Sequence, residues 1–399
     1  MESRILRRIL MRLIIIICCA LTLVGCSQFS TSFENVQTDE YRLLDFVYEP
    51  AEAAPGDTVH VKAIFAGKKI SVADIDWKIS YNVVYNRYGT ADTAIDLISL
   101  PLPVETKFTD QTTCMEFSVV IPEDIMYTSK GIPDNWTSLI PADYQSSIPD
   151  EYKKLTKKQM LDTMGLLMNL DPSVLNILAA ASPELKASVP LMCQLLTVQM
   201  RLFADIRGDY RIKSDYSVRF NSNFSSVPAL AVPVNNNPVI DSLGIYKVPG
   251  TIDEYNPAEN RHTFYRLDVP AGQEKTILLE KDYSYFVEVF TNTPDTTRTL
   301  LDITNGTSQV ETYYAQWFYQ MDSTEMDGVS YNDYMNINTD KLQDVIVPPA
   351  DEKIKKFTIW AQVRDELTNE VLRPVGSSLI EGRGVFEYTK GYLDQENRK

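Results

Sequence analysis

"DTVHVKAIFA", Asp57 to Ala66, decides the fold. Val59, Val61, Ala63 and Phe65 share one parity and alternate with mostly polar neighbours, as a strand with one buried face requires. Pro55 and Gly56 turn the chain just before it. Ile75, Trp77 and Ile79 repeat the alternation in "DIDWKIS", Asp74 to Ser80, and another strand is legible in "CMEFSVVIP", Cys114 to Pro122. Short alternating strands divided by turn residues predict a mainly β, antiparallel sandwich.

Beyond Pro122 the pattern changes. Leu155, Met160, Leu161, Met164 and Met168 recur at helical spacing, Asp171 and Pro172 make an N-cap and first-turn pair, and Pro183 and Pro190 keep the pieces short. A helical insertion over about 148–195 is expected, its apolar stripes packed on the sandwich or offered to a partner. Strand grammar returns at Leu196 to Phe220, which closes a first unit of residues 40–222. Residues 223–238 are dense in turn formers and read as a linker.

A looser copy of the same order follows over 239–390, before a polar tail at 391–399. "VIDSLGIY" parallels "RLLDFVYE", "VPAGQEKTILLE" parallels "APGDTVHVKAIF", and "YYAQWFYQ" parallels "DIDWKISY". "KKFTIWAQVRDELTNE" likewise parallels "LTVQMRLFADIRGDYR", so Trp317 is the expected counterpart of Trp77. At 399 residues the chain exceeds what one core organises, which agrees with two units.

Pro55, Gly56 and Asp57, a strand, and then a tryptophan strand resemble the immunoglobulin-like domains of bacterial cell-surface proteins, over Tyr41 to Tyr81. The resemblance implies two tandem immunoglobulin-like sandwiches in series, the first with the helical insertion, and a core role for Trp77. An exposed Trp77 would instead be a sugar-stacking platform.

The N-terminus reads differently. Arg4, Arg7, Arg8 and Arg12 flank an apolar run from Leu13 to Val24, too short for a bilayer-spanning helix, so residues 1–25 read as a signal peptide. Leu23, Val24, Gly25 and Cys26 resemble the lipobox of bacterial lipoproteins, which implies cleavage before Cys26 and acylation of it. Ser27 in place of aspartate is similar to the outer-membrane sorting pattern of Gram-negative lipoproteins. Residues 26–39 are polar and read as a tether. Loss of the leader leaves 34 basic and 53 acidic side chains, a formal charge of −19. Such a body repels nucleic acid and anionic headgroups and is expected to stand off the membrane.

Cys114 and Cys193 are then the remaining thiols, either paired as a disulfide or buried separately as small hydrophobes. His60 and His262 lie in polar settings with no nucleophile elbow and no metal-ligand spacing. Residues 321–340 form the most acidic loop, a solvated turn or a calcium site through Asp322, Glu325 and Asp327. Arg207, Gly208 and Asp209 spell an adhesive tripeptide but also suit a hairpin turn. No cofactor or phosphate-binding motif is present. The expected function is noncatalytic: a lipid-anchored envelope protein presenting loops to a protein or glycan. A polysaccharide-binding outer-membrane lipoprotein of a nutrient uptake system is the alternative, and a carboxylate-dependent hydrolase follows it.

Overall fold

A computed structural model describes residues 33–35, 41–84, 93–106, 112–140, 145–182 without 147 and 149, 196–206, 211–220, 227, 235–249 and, beyond these, ten strands. The N-terminal strands are β1 (Phe33–Asn35), β2 (Tyr41–Glu49), β3 (Thr58–Gly67), β4 (Ile75–Ser80), β5 (Asn82–Val84), β6 (Thr93–Ile95), β7 (Ile98–Ser99), β8 (Val104–Thr106), β9 (Thr113–Val120), β10 (Thr197–Ile206) and β11 (Arg211–Arg219). Helices α1 (Ile125–Thr128), α2 (Asp150–Lys153), α3 (Lys157–Met168) and α4 (Pro172–Ala181) fall between β9 and β10. The C-terminal strands are β12 (Ile240–Pro249), β13 (Tyr265–Pro270), β14 (Glu274–Leu278), β15 (Tyr283–Thr291), β16 (Thr299–Leu301), β17 (Ser308–Val310), β18 (Thr312–Asp322), β19 (Gln343–Ile346), β20 (Lys356–Glu366), β21 (Ser377–Leu379) and β22 (Arg383–Glu387). The protein is mainly β, with antiparallel sheets and few helices.

The N-terminal strands build two four-stranded sheets, ordered β2-β3-β9-β8 and β11-β10-β4-β7, with every neighbouring pair antiparallel. Val59, Val61, Ala63 and Phe65 point inward from β3, as their parity requires. They share one core with Trp77 and Ile79 of β4 and with Val198, Met200, Leu202 and Ala204 of β10. Trp77 is buried there, edge-on to Phe46 with ring centroids 6.2 Å apart. It is therefore core, and no sugar platform.

The helices close one end of this core. Thr156 caps α3 through a reciprocal box with Gln159, and Asp171 caps α4 with Pro172 in its first turn. Met160, Leu161 and Met168 of α3, with Leu175 and Ala179 of α4, join the sandwich core. Residues 183–195, the rest of the expected insertion and the site of Cys193, lie outside the described residues.

The C-terminal strands form one antiparallel sheet, β13-β12-β15-β19, and a mixed one, β1-β18-β20-β22-β14, with β21 also on β20. Two pairings in the mixed sheet are parallel, β1 with β18 and β14 with β22. Part of the expected tether is thus a strand: Phe33, Glu34 and Asn35 pair with Trp317, Phe318 and Tyr319. The expected likeness of Glu274–Leu278 to β3 is corrected as well, because β14 lies at a sheet edge beside β22, whereas β3 is central. Period-two alternation marks a strand without saying which sheet it joins.

The C-terminal sheet packs against the outward face of the N-terminal one. Ile64 and Ala66 of β3, Leu44 of β2 and Cys114 of β9 form a second buried cluster with Phe318 and Trp360. A register irregularity between Leu43 and Asp45 sends both Leu44 and Asp45 toward this joint, as a β-bulge does. Gln362 donates to the Asp45 carboxylate, the Arg364 guanidinium lies 4.0 Å from it, and Arg42 sits over the Phe318 ring. The linker is held down too: the Asn235 backbone donates to Glu52, and the Asn237 amide to the Tyr48 carbonyl. The two halves lie sheet face on sheet face, in contrast to the arrangement in series expected from the order of the chain.

Candidate binding surface

An apolar ribbon crosses the open edge of the N-terminal unit. Asp96 turns the chain with φ 57° and accepts from the Asn82 amide at 2.8 Å. The chain then passes from β7, the edge of one sheet, to β8, the edge of the other. The Leu100 backbone donates to the Trp77 carbonyl at 2.9 Å, and buried Pro103 pins the crossing. Leu97, Ile98, Leu102 and Val104 are left facing solvent, Leu102 67% and Val104 66% exposed. Pro101 and Pro103 have no N–H to offer an incoming strand, so this edge favours side-chain contact over sheet extension. Asp96 and Glu105, both exposed, bracket the ribbon with negative charge. Burying one such aliphatic side chain stabilises a complex by roughly 1.5–3 kcal/mol.

The outward face of β4, β10 and β11 is charged instead. Asp205 accepts from Lys78 at 2.8 Å and from two nitrogens of Arg211, which also stacks over Phe203. Buried Arg201 makes a bidentate pair with Asp215. Hydrogen bonding from Arg211, helped by Lys78, holds the Asp205 carboxyl below its ordinary 3.8. Because the folded value is depressed, this stabilisation is complete above the unfolded value and fades as pH falls through the folded one. The stability difference between wild type and Asp205→Asn, measured by urea titration, is therefore expected to be full at pH 7 and to shrink as pH is lowered from 4 to 2. An unchanged difference at pH 2 would refute the ionic origin.

His60 lies on the exposed face, its Nδ1 2.8 Å from the hydroxyl of Ser118, its register partner on β9. Imidazole beside hydroxyl is half of a hydrolytic constellation. Both side chains are exposed on paired strands. Cys114 carries a free thiol inside the joint, and burial pushes its pKa up, which keeps it protonated and inert. Tyr48 and Tyr216 stack with centroids 4.9 Å apart, the Tyr216 hydroxyl donates to the Pro50 carbonyl, and burial raises both phenols. Among the described residues no group of three or more His, Cys, Asp or Glu side chains is placed to hold a metal ion. Cys26, Cys193, His262, the Arg207–Asp209 tripeptide and Glu325 and Asp327 of the acidic loop lie outside the described residues.

The ribbon had a signal in the sequence. "LISLPLPV", Leu97 to Val104, is apolar at all positions but one, does not alternate, and carries two prolines that a central strand excludes. An apolar run that cannot enter a sheet interior is a candidate surface.

No family model matches the chain, and no curated protein matches it. A structural similarity to the crystal structure of murine CEACAM1b has 9% identity and a TM-score of 0.18, covering 88% of this chain and 99% of that one. The fold rests on the strand pairings alone.

Proposed function

We propose that this chain is a noncatalytic, lipid-anchored envelope protein of two immunoglobulin-like sandwiches, the first carrying a helical insertion, and that it binds a protein partner at the Leu97–Val104 ribbon. The strand order supports the fold reading: β2-β3-β9-β8 against β11-β10-β4-β7 follows the ABED and C′CFG orders of immunoglobulin domains, with the helices between the E and F strands. The tandem reading draws support from a shared pairing. Trp77 faces Ala204 across β4 and β10, and Trp317 faces Ala361 across β18 and β20, a small residue leaving room for each ring. The leader and the Leu23–Cys26 motif support anchoring, with outer-membrane placement following from Ser27.

The observation that carries the binding reading is the open ribbon, whose bracketing carboxylates suit an apolar segment with basic flanks. A glycan platform is less favoured, because Trp77, Trp317 and Trp360 are buried and half-buried Trp136 spends its indole N–H on the Leu155 carbonyl. A photo-crosslinking residue at Leu102, on intact cells, is expected to yield one discrete protein adduct, lost on adding Ile98→Asp and absent from the same probe at Lys69. No adduct at Leu102, together with micromolar binding on a glycan array, would move the function to polysaccharide capture.

A further inference from the structure

We propose that the exposed face of α3 and α4 rests on the membrane that holds the lipid anchor, so that the helical end of the protein faces the bilayer; this rests on the acylation of Cys26. Seven residue steps separate Cys26 from Phe33, which is fixed opposite Trp317 in the mixed sheet. A chain of that length spans at most about 25 Å. The anchor therefore holds the body close to the lipid surface.

The strand directions say which end is held. β1 is parallel to β18, so the chain from Cys26 enters from the side where β18 starts, at Thr312. Thr312 is the register partner of Glu366, the last residue of β20. β2 runs in the same sense as β20: Arg42 sits over Phe318, the partner of Trp360, while Asp45 meets Gln362 and Arg364 further along. The Glu49 end of β2 thus lies on the same side as Thr312 and Glu366. At that end β9 gives way to α1, and Gly165 of α3 lies against Phe220, just past β11. From Trp317 to Thr312 is about 17 Å at 3.3 Å per residue, so the anchor reaches only a few ångströms past the strand ends.

The face so placed suits a lipid interface. Leu166 of α3 is 74% exposed, and Ile177 of α4 is 68% exposed, with Val174 one turn before it also exposed. At 100° per residue, Ile177 points away from Leu175 and Ala179, which are buried in the sandwich. The segment Asp150–Ser182 holds four lysines against four carboxylates, so it is neutral in a body whose formal charge is −19. A neutral segment is repelled less by anionic headgroups than the body as a whole. The expected stand-off is thereby replaced by contact at one end.

The test uses the acylated full chain in vesicles of phosphatidylethanolamine and phosphatidylglycerol, with Cys114→Ala and Cys193→Ala removing other thiols. A fluorophore is placed on Ile177→Cys or, as the far-end control, on Lys69→Cys, which lies beyond the opposite end of β3. With doxyl-labelled lipid, quenching at 177 is expected to exceed that at 69 by about threefold or more, since interfacial side chains enter the headgroup boundary. Flotation with vesicles, acylated Cys26 and equal quenching would overturn the docking while leaving the anchor standing. An unmodified Cys26 with no flotation would remove both together.

Discussion

Trp360→Ala is expected to lower the stability of the chain by about 3–5 kcal/mol, the range for truncating a fully buried aromatic. Trp360 is wholly buried in the joint, among Leu44, Ile64, Ala66, Cys114 and Phe318. Those contacts come from both halves, so the cavity forms between them and neither half can close it alone. The loss should also show in cooperativity. Wild type is expected to unfold in urea as one transition, and the variant as two, because the coupling between the halves is what the ring supplies. Trp360→Phe keeps most of the apolar contact and is expected to keep the single transition. If Trp360→Ala unfolds once, at an unchanged midpoint, the joint does not couple the halves.

Cys26→Ser is expected to move the protein entirely out of the membrane fraction or to strand it as precursor. Each buried methylene contributes about 0.8 kcal/mol, and a single acyl chain gives only reversible attachment. Two or more chains raise the affinity by many orders of magnitude, so no partial phenotype is anticipated once the sulfur is gone. Detergent phase partition with intact-mass measurement reads both outcomes at once. A serine variant that is normally processed and still partitions with lipid would remove the anchor from the account.

The inner face of the N-terminal unit was legible because one residue in two must be apolar there, and Val59 to Phe65 and Ile75 to Ile79 obey that rule. The Asp171–Pro172 helix start was legible because its chemistry is local. What lay between elements was harder to read. Ile64 and Ala66 are apolar at the parity that should face water, and Phe318 and Trp360 cover them. That anomaly was the written trace of the joint. The strand at Phe33–Asn35 left no trace, since a three-residue edge strand needs backbone pairing and no apolar face. Placing β14 beside β22 likewise depends on partners that alternation does not name.

The pairing of β1 with β18 joins segments separated by most of the chain. During synthesis the residues around Phe33 emerge long before Trp317 exists, so they must wait unpaired while the first sandwich assembles. Contacts of such separation close late and slowly. If acylation comes first, closure happens with one terminus already immobilised at the lipid surface. A short edge strand on a fixed end then serves as the final latch of assembly, and severing it would free the body to swing without unfolding it.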